Sequence, residues 1–525
     1  MSTLVERLLG QPAAAVAIEP GAAPAADAAI SFGDVAEASA RLAHVLREHH
    51  GVESGDRVGL LLEPGAAFIH ALTAVWRARA AALVLTPLHP PKERARLLYD
   101  AGARLVIASP ELAAVAADGT SATAVHVFAS AASGAASLDG HALPPPPCAR
   151  ALLPETDDLA LLVYTSGTTS LPKGVLLRHH HLEAQCDAIA RAWQLRSDDV
   201  LVHALPLHHV HGLVIALLSV LRVGGSAIMQ PSFDAHAVLT ACARASVFMG
   251  VPTMYARLLD ALDALTPEAR AAAAATLADL RLCTSGSAGL PVSLGERWAR
   301  YAGRYPVERF GMTELGVALS NRVAGERVPG SVGWPLPSVH VRVVDDAGAP
   351  ADEGELQVRG PTVFEGYWER PDETAAAFVF DEGVRWFRTG DTVRRHGDGR
   401  VSVLGRTSVD ILKSAGYKLS APAIEEALRR HPDVRDAAVV GLPDETYGQR
   451  VAAAVMLRPG ASLTAEALLT FARSELAPYA LPRLVHFVDD VPRNAMGKVR
   501  KPVLAELLAI LEGHDADVHE GTTQR

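Results

Sequence analysis

Leu162-Val163-Tyr164-Thr165-Ser166-Gly167-Thr168-Thr169-Ser170-Leu171-Pro172-Lys173-Gly174-Val175 packs hydroxyls, glycines and one lysine into a single turn between two apolar runs. Leu159 to Tyr164 reads as a buried strand and Val175 to Leu177 as the next one, which makes the polar segment a strand-to-strand loop. Such a loop can gather backbone N–H groups, the hydroxyls of Thr165, Ser166, Thr168 and Thr169, and the Lys173 ammonium around phosphate oxygens. After Gly167 and the intervening Thr168 to Leu171 stands Pro172, not the Gly-Lys-Ser/Thr of a P-loop ATPase, so that reading fails. The bland alternative is a solvated Ser/Thr/Gly surface loop, and the rest of the chain decides between the two.

A chain of 525 residues is too long for one hydrophobic core, so two or more domains are expected. The net charge of -10 argues against nucleic acid as a partner, because a phosphate backbone calls for a basic face, and small molecules become the expected ligands. Cys148, Cys186, Cys242 and Cys283 lie far apart without Cys-x-x-Cys spacing, which suits neither a disulfide framework nor a zinc site and points to a reducing, cytoplasmic setting. The longest apolar segment, Leu213 to Val223, carries Arg222 and is too short to span a bilayer, and no export signal is visible at the N-terminus; no membrane partner is expected.

Helical patterns over Phe32 to Glu48 and Ala66 to Ala78 alternate with apolar runs at Val58 to Leu62, Ala82 to Thr86 and Leu105 to Ala108, the rhythm of an α/β fold. Ala113 to Ala149, rich in Ala, Ser, Gly and Pro, reads as an irregular surface connection. From about 335 to 405 the alternation at Val339 to Val358 marks a β-rich subdomain closing the N-terminal domain, residues 1–406. Residues 407–512 then read as a small α+β C-terminal domain, with 513–525 a disordered tail.

Three further clusters carry chemistry. In Glu308-Arg309-Phe310-Gly311-Met312-Thr313-Glu314, an acid beside polyphosphate suits Mg²⁺, although Glu314 alone also reads as a helix-start acid. In Trp386-Phe387-Arg388-Thr389-Gly390-Asp391, the carboxylate closing an apolar strand suits vicinal ribose hydroxyls. In Asn494-Ala495-Met496-Gly497-Lys498, a Gly-Lys pair sits in a loop.

In this order, over nearly the whole chain, these segments resemble the adenylate-forming superfamily of acyl-CoA synthetases, luciferases and peptide-synthetase adenylation domains. The resemblance implies a large N-terminal domain and a mobile C-terminal one. It also implies two half-reactions: a carboxylate attacks the α-phosphate of ATP, and after domain rotation a thiol displaces AMP. By the same resemblance ATP contacts Thr165, Ser166, Gly167, Thr168, Thr169, Lys173, Ser287, Ala288, Glu308, Arg309, Phe310, Gly311, Met312, Thr313, Asp391 and Arg406. Mg²⁺ falls to Glu314 and Thr168, catalysis to Lys498, His209 and Glu314, the pivot to Ser408, and CoA contact to Ser414, Gly416, Tyr417 and Lys418. The chain departs from the family pattern at Ser170 and Ala415, where glycine is usual, and at Ser408, where Asp or Lys is usual.

Leu205 to Gly212 resembles the family segment between acyl pocket and thiol tunnel, with His209 at the dividing position; its three histidines lack a partner spaced to complete a metal site. Met249 to Leu258 resembles the start of the pocket helix, with Thr253 an expected N-cap. Arg257, directed into that pocket, is expected to pair with a second carboxylate of the substrate, beside His209 and Met312. These segments make the chain look most like malonyl-CoA synthetases, acting on malonate or methylmalonate with CoA as acceptor. An exposed Arg257 would instead favour a short or medium monocarboxylic acid, and a carrier protein in place of free CoA is the third reading.

Overall fold

The computed structural model describes residues 3–21, 29–118, 123–130, 136–145, 153–165, 172–494 and 497–520. Two large sheets build the first part of the chain. One runs, among the described residues, in the order Lys173–Arg178, Leu159–Thr165, Ala81–Val84, Arg57–Leu61, Ala103–Ala108, Ala124–Ser130, Ala136–Leu138, His141–Ala142. The other places Val307–Met312, Leu282–Ser285, Val247–Gly250, Val200–His203 and Ser226–Met229 side by side, parallel, with the antiparallel Gly316–Ser320 beyond Val307–Met312. The helices Phe32–Glu48 and Ala66–Arg77 form where the apolar spacing predicts them; the first buries one face, led by Leu42 and Leu46, and the second is buried all round from Phe68 to Arg77. One large hydrophobic core takes residues from Leu4 to Val401, and a second, smaller one gathers Leu61, Leu83, Leu97, Val106 and Leu162.

The segment expected to be irregular between Ala113 and Ala149 corrects that expectation. Ala124–Ser130 pairs parallel to Ala103–Ala108 and then antiparallel to Ala136–Leu138, with Phe128 fully buried. Its small residues had hidden a strand whose burial comes from its neighbours rather than from its own hydropathy. The Pro146 and Pro147 end of the segment lies outside the described residues.

His340–Val344, Glu353–Arg359, Phe378–Asp381, Val384–Arg395 and Val401–Arg406 form an antiparallel sheet. After Arg406 comes a turn over 407–410, then a separate sheet of Ile411–Ser414, Tyr417–Ser420, Val434–Asp444, Gly448–Leu457 and Leu484–Phe487 with its own cores. The last helix runs from Lys501 to Glu520, past the end expected at residue 512, because no proline interrupts the backbone ladder there; residues 521–525 lie outside the described residues. Among the described residues no helix is long and apolar enough to cross a membrane.

Candidate active site

The two ends of the opening loop are held tightly. Thr165 and Lys173 face each other in antiparallel register. Ser166, Gly167, Thr168, Thr169 and Ser170 lie outside the described residues. Lys173 Nζ rests 5.2 Å from the centre of the Tyr367 ring, and the Tyr367 hydroxyl donates to Glu314 Oε1 at 3.0 Å. Tyr367 therefore bridges the lysine of the loop and the acid of the second cluster. The sequence reading missed it: an aromatic in Gly366-Tyr367-Trp368 carries no phosphate signal, and its place depends on a bridge to Val175.

Glu314 is not a helix-start acid; it lies in the turn between Val307–Met312 and Gly316–Ser320 and is 7% exposed. Burial raises its pKa, and the hydrogen bonds from its own backbone and from Tyr367 oppose that. Among the described residues no group of three or more His, Cys, Asp or Glu is placed to hold a metal. A cation beside Glu314 must then draw most of its oxygens from phosphates and water, which is the habit of Mg²⁺ and fits this single carboxylate.

Asp391 lies inside the strand Val384–Arg395 rather than at its end, because the strand runs on to pair with Val401–Arg406. Burial raises its carboxyl to about 6, opposed by Arg406 and Lys498. Arg406 Nη1 donates to the Thr389 carbonyl and lies 3.3 Å from Asp391 Oδ2. Lys498 reaches this cleft from the C-terminal domain. It keeps contact with solvent, but the surrounding protein and the cations Arg406 and Arg309 lower its pKa, while Asp391 and Glu314 act the other way.

At the other end of the cleft the strand Val307–Met312 sends successive side chains to opposite faces. Glu308 is buried and accepts the Gly330 N–H at 3.1 Å, and burial raises its carboxyl to about 8. Arg309, on the opposite face, is 5% exposed. Its guanidinium lies over Gly286, where a Cβ would fall 2.3 Å from Arg309 Cζ. Arg309 Nε and Nη2 find no hydrogen-bond partner, and no carboxylate pairs with Arg309, among the described residues. Burial lowers its pKa to about 9. Beside it His211 is likewise buried; its Nδ1 meets Ser287 Oγ at 2.9 Å, its Nε2 has no partner among the described residues, and burial followed by the Arg309 charge holds it neutral. Ser287 adopts φ +68°, and Ala288 is exposed beyond it. Phe310, Gly311, Met312 and Thr313 are half-buried along the open side of the cleft.

His209 is half-buried against His208, ring centroids 4.1 Å apart, and its pKa falls to about 4 through burial, His89 and Lys498. The Lys498 influence places it on the same cleft. The helix Pro252–Asp263 buries Met254, Tyr255, Leu258, Leu259 and Leu262, whereas Arg257 shares the face of Thr253, one turn away; it is exposed and stacks 4.8 Å over the Phe233 ring. Thr253 is not the N-cap: Val251 is, and Thr253 sits within the first turn.

The C-terminal residues divide between two places. Ser408 is exposed in the turn after Arg406. Ser414, Gly416, Tyr417 and Lys418 form a hairpin away from the cleft, where Ser414 is buried, Tyr417 stacks on Tyr479 with centroids 4.1 Å apart, and Lys418 Nζ lies 2.6 Å from Asp346. Ala415 takes φ +51°, a left-handed backbone that strains any residue with a Cβ. Cys186, Cys242 and Cys283 are free and buried, each thiol pushed up to about 12 by burial.

A family model described as AMP-binding enzyme matches residues 6–368, and one described as AMP-binding enzyme C-terminal domain matches residues 423–498. The mitochondrial malonate–CoA ligase ACSF3 of Bos taurus is 38% identical to this chain, covering 94% of it and 89% of the relative. Among solved structures, ATP-bound MatB from Rhodopseudomonas palustris matches with a TM-score of 0.84 at 35% identity, over 96% of this chain and 98% of that one. A malonyl-CoA ligase ternary product complex with methylmalonyl-CoA and AMP bound matches with a TM-score of 0.65 at 38% identity, over 92% and 98%.

Proposed function

The chain belongs to the AMP-binding enzyme family, and from that membership we propose an ATP-dependent acid–thiol ligase that adenylates malonate and passes the acyl group to CoA, giving malonyl-CoA, AMP and pyrophosphate. The observation that carries malonate is Arg309, a buried guanidinium with two unpartnered nitrogens and, among the described residues, no carboxylate of its own. An unpaired buried charge is costly, and a dicarboxylate supplies the missing anion with the end that does not react. A monocarboxylate leaves Arg309 unpaired, so the same residue that admits malonate rejects acetate or a fatty acid. The role first expected of Arg257 passes to Arg309, with the neighbouring His211 Nε2 and Met312 bounding the same end.

In the first half-reaction a malonate oxygen attacks the α-phosphorus and pyrophosphate leaves. Lys498 neutralises charge growing on the α-phosphate and carboxylate oxygens, Asp391 accepts from the ribose hydroxyls, and the loop from Thr165 to Lys173 holds the leaving phosphates. Glu314, fixed by Tyr367, would hold a Mg²⁺ that, when bound, neutralises phosphate charge. In the second half-reaction the CoA sulfur attacks the acyl carbon and AMP leaves. His209, neutral near pH 7, lines the thiol path without adding charge. The hairpin Ser414 to Lys418 replaces Lys498 at the cleft after rotation about Ser408. The arrangement described, with Lys498 in the cleft and the hairpin outside it, and the better match to an ATP-bound relative than to a product complex, both support two positions of the C-terminal domain. Free buried thiols suit a cytoplasmic setting.

ATP–pyrophosphate exchange with malonate, methylmalonate, succinate, acetate and octanoate, followed by CoA, tests this reading. Malonate-selective exchange that proceeds to a CoA thioester is expected; faster exchange with acetate or octanoate overturns the malonate pocket while keeping the ligase.

A further inference from the structure

Gly497 immediately precedes Lys498 and adopts φ +74°. A Cβ at Gly497 would lie 2.6 Å from Thr253 Oγ1, 2.7 Å from Thr253 Cγ2 and 3.3 Å from Thr253 Cβ. Thr253 stands on the first turn of Pro252–Asp263, a helix anchored in the large core by Met254, Tyr255 and Leu258. The residue on which the lysine loop rests is therefore β-branched, stiff at χ1, and borne by a rigid element of the other domain.

This contact sets a distance. Arg406, Asp391, Arg309 and Glu314 are near enough to shift the pKa of Lys498, which is itself exposed. Raising or lowering Gly497 on Thr253 moves the ammonium along the cleft, and a displacement of about 1 Å in a reacting group can cost about a hundredfold in rate. The hydroxyl of Thr253 has no cap to make, because Val251 holds the N-cap position; its shape is what meets Gly497.

We propose that Thr253 is a positioning residue for adenylation: it acts through Gly497 to fix the depth of Lys498, and it drops out of thioester formation, when the lysine loop has left. The inference rests on the assignment of Lys498 to the first half-reaction.

A double-mutant cycle tests it, with Gly497→Ala, Thr253→Ala and the pair compared in malonate-dependent pyrophosphate exchange and in thioester formation from supplied malonyl-adenylate, and thermal unfolding as a check on the fold. Gly497→Ala is expected to lower exchange by about 10- to 100-fold, since the new methyl overlaps Thr253. Thr253→Ala alone lowers exchange by about tenfold, because the stop beneath Gly497 is gone, and added to Gly497→Ala it regains about tenfold as the new methyl takes up the vacated space, the remainder reflecting the left-handed backbone. Thr253→Val, which keeps the shape, retains exchange. Thioester formation and the unfolding temperature stay level across the set. Additive losses without rescue, or equal loss of both half-reactions, overturn the proposal. Lys498→Ala separates the layers: retained exchange overturns the Lys498 assignment beneath it, whereas lost exchange together with an additive cycle overturns the Thr253 inference alone.

Discussion

The two ends of the cleft handle charge in opposite ways. At the nucleotide end every key ionisable group already has a protein partner: Glu314 takes the Tyr367 hydroxyl, Asp391 faces Arg406, and Lys173 lies against the Tyr367 ring. At the end proposed for the acyl group, Arg309 and His211 are buried with nitrogens unpartnered among the described residues. A ligand as large and highly charged as ATP brings many contacts, so its site can be kept stable when empty. Malonate brings few atoms, and its recognition is concentrated in one incomplete ion pair.

The sharpest way to break that contrast is Arg309→Leu. Loss of this buried cation at the proposed acyl end should lower malonate-dependent exchange by about 10²- to 10³-fold, with the KM for ATP within about threefold. Because the native residue is an uncompensated buried charge, the variant should also unfold at a higher temperature than the parent. Malonate turnover that survives the change, or a lower unfolding temperature, removes the distinction between the two ends.

Titration comes next in size. Asp391, raised from 3.8 to about 6, is ionised above that pH and protonated below it, and protonation removes the acceptor for ribose. With malonate saturating, kcat/KM for ATP should fall about tenfold per unit below pH 6, a step that Asp391→Asn abolishes at lower overall activity. Arg309, lowered to about 9, loses its charge above that pH, so kcat/KM for malonate should fall on the alkaline side instead. A single limb shared by both substrates would show the ends to be one electrostatic unit. The smallest effect belongs to Arg257→Ala: stacked on Phe233 in contact with solvent, it should shift the malonate KM by no more than about twofold.

Much of this was legible from the residues. The strand–loop–strand at Tyr164, the helices at Phe32 and Ala66, and the motifs at Glu314, Asp391 and Lys498 announce themselves through local spacing, since period and turn chemistry act over a few residues. What sequence could not place was direction. Arg257 and Arg309 are both arginines in pocket segments, and only the packing of Met254, Tyr255 and Leu258 turns one outward while strand alternation turns the other in. Tyr367 and Thr253 escaped for a related reason. Their partners, Glu314 and Gly497, lie far off in the chain, and neither tyrosine nor threonine carries a signal for such a contact.

The buried cysteines bear on the safety of the chemistry. An acyl-adenylate is an electrophile made to be captured by sulfur, and any nearby thiolate would compete with CoA for it. Cys186, Cys242 and Cys283 are packed in the core with their thiols held protonated up to about pH 12. The enzyme can thus carry sulfur within its own walls and still leave the activated acyl group to the visiting thiol, with no self-acylation at these three positions.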